Sequence, residues 1–320
     1  MSTDDQQRPR SRRRPARLVA GSLVLLGLAG YFLVQYDSTG GAGAPHCTVR
    51  AADGSSAAEG SSYELSPEQA AHAATIAAVG TSKGLPERAV TIAMATAMQE
   101  SALRNLDHGD RDSLGLFQQR PSMGWGTPEQ IRDPVYSAGI FYDRLAKVPG
   151  YSRMPLTVAA QKVQKSGFPQ AYAKHEPDAV LLAAALTGRA PAALTCSGPA
   201  PRTPGDRAGL AARLERVFGK GVREGSGAEE DGALSVPLVP ASGMGASGAV
   251  PGDGQRGWEI AHWAVAHAPE LGIERVSYAG RAWVAGKNKG AWKVTGGSGK
   301  SGDGDPRNTD ERTVRIFLAK

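Results

Sequence analysis

Residues 89–98, "AVTIAMATAM", most constrain what this chain can fold into. Every side chain in the run is apolar or small, so the helix it predicts has no polar face to turn toward water and must be covered on all sides. The run starts just after Pro86 and ends in "QESALRNLDHGDRDSLGLFQQ", residues 99–119. Glu100 therefore stands where a buried helix runs out.

The flanking sequence supplies the cover. In "SPEQAAHAATIAAVGTSKGL" Ser66 is an N-cap, Pro67 takes the first helical position, Gln69 completes a capping box and Gly84 is the stop. "DPVYSAGIFYDRLAKV", "PLTVAAQKVQKSG" and "EPDAVLLAAALTG" predict three more helices, with no convincing strand before Cys196. Residues 63–196 are thus expected to form a mainly α domain, and 197–219 to add one amphipathic helix. Residues 37–62 and 220–254, rich in Gly, Ala, Ser and Pro, have the composition of linkers. Beyond them, 255–320 predict a small α+β domain. Its helix carries an apolar stripe on Trp258, Ile260, Ala261, Ala264, Val265 and Ala268. The short strands "ERVSYA", "RAWVAG", "GAWKV" and "RTVRIFLA" follow.

The net charge of +6 is concentrated at one end. Residues 1–17 hold six Arg and two Asp, which is +4, and leave +2 for everything else. That distribution argues against a nucleic-acid face. Next comes a stretch without charge, residues 18–36. Its nineteen residues would span about 28 Å as a helix, close to the hydrocarbon thickness of a bilayer. A transmembrane helix is expected there, with 1–17 as a cytoplasmic tail and the bulk of the chain outside. A cleaved signal peptide is the competing reading; "AGA" at 42–44 resembles a cleavage site but lies well past the apolar stretch.

Two cysteines, Cys47 and Cys196, flank the segment that carries the chemistry. In an oxidising compartment they are expected to pair, closing a loop worth up to roughly 5 kcal/mol in chain entropy. Two distant cysteines and six scattered His show no metal-ligand spacing, so no metal and no cofactor is expected.

A carboxyl group at the end of an apolar helix loses water and holds its proton tightly. Glu100 is therefore a candidate general acid for breaking a glycosidic bond. Asp107, Asp110 and Asp112 follow closely, and each is a candidate second carboxylate to place water or stabilise positive charge on a sugar. Read without that chemistry, Glu100 is a solvated helix-end residue and the aspartates are turn formers.

"QES" followed after a short loop by "SLGLFQQ" resembles the signature of lytic transglycosylases and goose-type lysozymes, over roughly residues 63–190. The matching positions are Glu100, Ser101, Ser113, Gly115, Leu116, Phe117 and Gln118. The resemblance implies a lysozyme-like domain in which Glu100 is the catalytic acid. It further implies that Ser113 contacts the substrate or the carboxylate, that Gly115 lets the backbone turn close to the glycan, and that Gln118 lines the sugar cleft. Gln119 and Tyr172 join that substrate-binding set. Trp125 is either a sugar-stacking platform or a core residue. The family's third motif is Ala-Tyr-Asn; here Ala171 and Tyr172 are followed by Ala173.

Residues 255–320 resemble a domain appended to some actinobacterial cell-wall hydrolases, akin to hedgehog/carboxypeptidase-type metallopeptidases. The ligands are gone: no His follows His267, and His262 and His267 are five apart. A module that binds an anionic wall polymer or a protein partner is expected instead, in keeping with eleven basic and seven acidic residues.

The resulting expectation is a mainly α lysozyme-like domain, preceded by one transmembrane helix and followed by a small α+β domain. Its partners would be peptidoglycan glycan strands and, through residues 18–36, the lipid bilayer. Its activity would be that of a lytic transglycosylase or muramidase, with a catalytically inactive glycan-binding scaffold as the alternative.

Overall fold

The computed structural model describes residues 44–51, 60–220, 222, 227–228, 232–238, 253–295 and 312–320. The expected tail 1–17 and transmembrane helix 18–36 lie outside the described residues. Among those described, no helix is long and apolar enough to cross a membrane.

Among the described residues strands come first, which corrects the expectation of a mainly α domain. β1 (His46–Arg50) pairs antiparallel with both β2 (Ser62–Leu65) and β3 (Leu194–Ser197), in the order β2-β1-β3. Cys47 and Val49 are buried while His46 and Arg50 are exposed, the alternation of a half-buried strand. That alternation spans only five residues inside a stretch of linker composition, and the partner strand β3 is far away in sequence. Cys47 faces Cys196 in the β1–β3 register, and the two form the expected disulfide, 149 residues apart.

The helices follow their sequence signals. α1 (Pro67–Ser82) has Ser66 as its N-cap, with the reciprocal Ser66–Gln69 capping box formed. In α2 (Glu87–Ser101) every residue from 89 to 98 is buried. The hydroxyls of Thr91 and Thr96 are satisfied by the carbonyls of Glu87 and Ile92, one turn back. The remaining helices of this part are α3 (Pro128–Ile131), α4 (Pro134–Ala146), α5 (Leu156–Gln164) and α6 (Glu176–Leu186). Helices α1, α4, α5 and α6 all pack against α2. Ile92 and Met94 are fully enclosed, and each such side chain contributes roughly 1.5–3 kcal/mol by leaving water.

The second half of the correction concerns the C-terminal part. α7 (Arg207–Phe218), α8 (Asp253–Ala266) and α9 (Ala268–Leu271) join six strands in a second antiparallel sheet. These are β4 (Gly227–Ala228), β5 (Leu234–Pro237), β6 (Ile273–Tyr278), β7 (Arg281–Val284), β8 (Lys293–Val294) and β9 (Thr313–Leu318), in the order β4-β5-β9-β6-β7-β8. One side of α8 packs on this sheet and another on α1 and α6, so residues 257–268 are all buried rather than only the predicted stripe. A Cβ on Gly188 would lie 1.9 Å from the carbonyl oxygen of Gln255, so that approach requires glycine. Polar groups tie the same contact. The indole N–H groups of Trp283 and Trp292 donate to the carbonyls of Cys196 and Leu194 at 3.1 and 2.8 Å. Buried Glu259 accepts from Thr81 of α1 and pairs with Arg256. Pro45–Lys320 is therefore one compact α+β unit built on two antiparallel sheets, not a mainly α domain with a small appendage.

Candidate active site

The last turn of α2 is locked from several directions. Ala102 and Leu103 both take left-handed backbone conformations (φ 51° and 59°), and their N–H groups bond back to the carbonyls of Met98 and Ala97. Two consecutive non-glycine residues there are strained by about 1–2 kcal/mol apiece, so something must hold them. Gln69, whose Oε1 completes the capping box, donates from Nε2 to the Ala102 carbonyl at 2.8 Å. His72 Nδ1 lies 2.8 Å from the Leu103 carbonyl oxygen and so carries the hydrogen. Ser101 Oγ donates to Leu116 O at 2.8 Å and fastens the helix end to the following loop.

That loop is the "SLGLFQQ" segment. Leu114 and Gln119 exchange two backbone hydrogen bonds, closing a tight hairpin. Gly115 has φ +75°, and a Cβ there would come within 2.6 Å of the Ile131 carbonyl oxygen. Glycine is thus demanded by the turn itself and by the close approach of α3.

Glu100 lies half-buried at the closed end of this arrangement. Tyr172, fully buried, donates its hydroxyl to Glu100 Oε1 at 2.6 Å. Gln164, the last residue of α5, donates Nε2 to Phe117 O at 2.7 Å, and its amide also lowers the pKa of the nearby Glu100. Burial raises the Glu100 pKa above the ordinary carboxyl value, and it outweighs the lowering by the Tyr172 hydroxyl and the Gln164 amide. Burial and the neighbouring Glu100 likewise raise the Tyr172 pKa, so that the phenol stays protonated and remains a donor.

The other sequence candidates divide. Tyr172 is brought to Glu100, whereas none of the three aspartates hydrogen-bonds it. Asp112 is engaged by Arg120 Nε at 2.7 Å and by the Ser122 N–H at 2.8 Å, which hold its pKa well down. Asp107 pairs with His108 at 2.7 Å, and Asp110 is exposed beside Arg111. Gln118 (φ 46°) folds back over the loop, donating Nε2 to the carbonyls of His108 and Gly115. Ser113 is buried, its backbone N–H bonded to the Asp110 carbonyl. Gln119 points into the core and donates to Ser137 O at 3.0 Å. Trp125 is buried under the Arg144 guanidinium, 3.4 Å from the ring centroid.

One functional candidate escapes a reading of the sequence. Ala173, at the position where the resemblance expects asparagine, is exposed. The amide beside Glu100 comes from Gln164 instead, on a different helix, and nothing in "QKVQKSG" marks it. A cavity of about 450 Å³ lies elsewhere, lined by His72, Thr75, Trp263 and His267 among others. Its arginines are already paired, Arg213 with Glu270 and Arg216 with Asp133. Among the described residues no group of His, Cys, Asp and Glu could hold a metal ion.

Taken together, the arrangement offers one proton-holding carboxyl with the neutral Tyr172 donor on it, and no second carboxylate bonded to it. No protein-family model matches the chain, and no curated protein is similar enough to match it.

Proposed function

We propose that this protein cleaves the glycan strands of peptidoglycan outside the cytoplasm, with Glu100 as general acid and then base. The observation that carries the reading is the Glu100 carboxyl, withdrawn from water at the end of a buried helix and held by Tyr172 at 2.6 Å. A carboxyl whose pKa is raised toward neutrality can deliver a proton to a leaving oxygen. The Cys47–Cys196 disulfide suits an oxidising, extracytoplasmic setting.

In the proposed reaction Glu100 protonates the glycosidic oxygen as the bond from C1 to that oxygen breaks. The resulting carboxylate then takes the proton from the sugar's own 6-hydroxyl, whose oxygen bonds to C1 and leaves a 1,6-anhydro end. Intramolecular attack needs no water-placing carboxylate, and Asp112, tied to Arg120 and Ser122, is poorly available for that task. The transglycosylase reaction is therefore favoured over hydrolysis.

The test compares the full chain with Glu100→Gln on purified peptidoglycan, reading soluble fragments by mass spectrometry. Anhydro-ended fragments from the wild type alone are expected. Reducing ends would move the assignment to a hydrolase. Release by neither protein, with glycan binding retained, would leave a non-catalytic scaffold.

A further inference from the structure

We infer that Phe168 is the platform on which one sugar ring of the glycan lies beside Glu100, an inference that rests on the glycan-cleavage reading. Trp125, the aromatic candidate in the sequence, is ill placed for the task. It is 6% exposed and Arg144 covers a face of its ring. Phe168, by contrast, is 77% exposed, the highest value among the described large hydrophobic side chains that face solvent.

A lone exposed apolar side chain means little by itself. Its attachment is what carries the inference. Lys165 turns the chain at the end of α5 with a left-handed backbone (φ 54°), and Phe168 stands three residues on. Gln161 Nε2 donates to Ser166 O at 2.8 Å, and the Phe168 N–H donates to Ser166 Oγ at 3.1 Å, which holds the turn in shape. Phe168 itself leads into the 3-10 turn Pro169–His175, its carbonyl accepting from the Ala171 N–H at 3.1 Å, and that turn carries Tyr172, whose hydroxyl reaches Glu100. At the start of the turn, Gln164 donates to Phe117 O, in the loop fastened to the helix end that bears Glu100. The turn is thus fastened at one end to the Phe117 loop and runs at the other into the segment that holds Tyr172, and the ring between them is left bare.

The chemistry of the occupant follows. A pyranose ring carries its hydroxyls around its edge and presents flat faces of C–H bonds. Such a face lies well on an aromatic ring, covering apolar surface on both partners and gaining dispersion contacts. A platform of this kind beside the acid would hold a sugar flat while its glycosidic oxygen faces Glu100.

The experiment uses the full chain carrying Glu100→Gln, which cannot consume its ligand. Its probe is the tetrasaccharide of alternating N-acetylglucosamine and N-acetylmuramic acid, measured by titration calorimetry. Adding Phe168→Ala should weaken binding about tenfold, and Phe168→Trp should stay within about threefold of the parent. Unchanged affinity in the alanine variant, with the parent's thermal midpoint, overturns the inference. If the wild type still releases fragments in that case, cleavage stands and only the platform falls. If the Glu100→Gln parent does not bind and the wild type releases nothing, both fall together.

Discussion

Tyr172 and Glu100, 72 residues apart in the chain, share a hydrogen bond of 2.6 Å at the end of the buried helix α2. Tyrosine is the donor, so the bond favours the carboxylate and opposes the burial that raises the Glu100 pKa. Replacing Tyr172 with Phe keeps the ring and removes the donor. A hydrogen bond to a charged group is worth about 1.5–3 kcal/mol, so fragment release should fall by about 10- to 100-fold. Assays on peptidoglycan with Tyr172→Phe check this, and an undiminished rate would remove the bond from the mechanism.

Gln164 acts on the same carboxyl from another helix. Glu100 must be protonated to act as the acid, so activity should be lost as pH rises through its folded pKa. The Gln164 amide stabilises the carboxylate and lowers that pKa. Gln164→Leu should therefore carry the alkaline limb of the pH–rate profile to higher pH. A limb that stays in place, or moves to lower pH, would show that the amide only braces the Phe117 carbonyl.

The disulfide joins β1 to β3 around the whole segment that holds Glu100 and Tyr172. Its removal by paired Cys47→Ser and Cys196→Ser should cost about 2–5 kcal/mol of stability. Denaturant unfolding of the oxidised protein and of the double variant measures the difference. A loss below about 1 kcal/mol would mean that the packing of α8 and of Trp283 and Trp292 already secures β3.

Two buried histidines, His262 of α8 and His267 at the N-cap of α9, make the fold sensitive to acid. His262, bonded to Ala185 O between the rings of Trp258 and Trp292, and His267, beside Trp263 and Thr75, are both pushed down to about 4, above all by burial. Of the titratable groups around His267, Glu270 raises its pKa while Arg213 and His72 lower it. A depressed pKa means that the unfolded chain takes up protons first. Stability is therefore full above the unfolded value near 6.5 and is lost as pH falls toward about 4, by up to roughly 1.4 kcal/mol per pH unit for each histidine. Thermal midpoints between those limits should decline, and less steeply in His262→Gln. Parallel curves would acquit His262.

How much was legible depended on distance along the chain. Capping by Ser66 and Gln69, the stop at Gly84 and the enclosure of 89–98 are written in neighbouring residues, and the sequence showed them. Pairing of β1 with β3 is not local, and a five-residue alternation within a Gly/Ala/Ser-rich stretch carries too little pattern to be seen. The site divided in the same way. Glu100 was visible because it ends an unmistakable helix, and Tyr172 because a motif resemblance named it. Gln164 looked like one more polar residue on the amphipathic helix α5. Gln118 and Gln119 are adjacent in the motif, but the hairpin sends one over the loop and the other into the core, a separation that only backbone geometry reveals.

Strand β9 lies between β5 and β6, although it follows both in the chain. During synthesis from the N-terminus, β4–β5 and β6–β7–β8 can each pair locally, but neither group can reach the other until Thr313–Leu318 arrives. A chain cut before Thr313 is expected to expose two unsatisfied strand edges, the usual seed of self-association. Its quality control is in that sense temporal: the sheet against which α8 packs is completed by its latest strand.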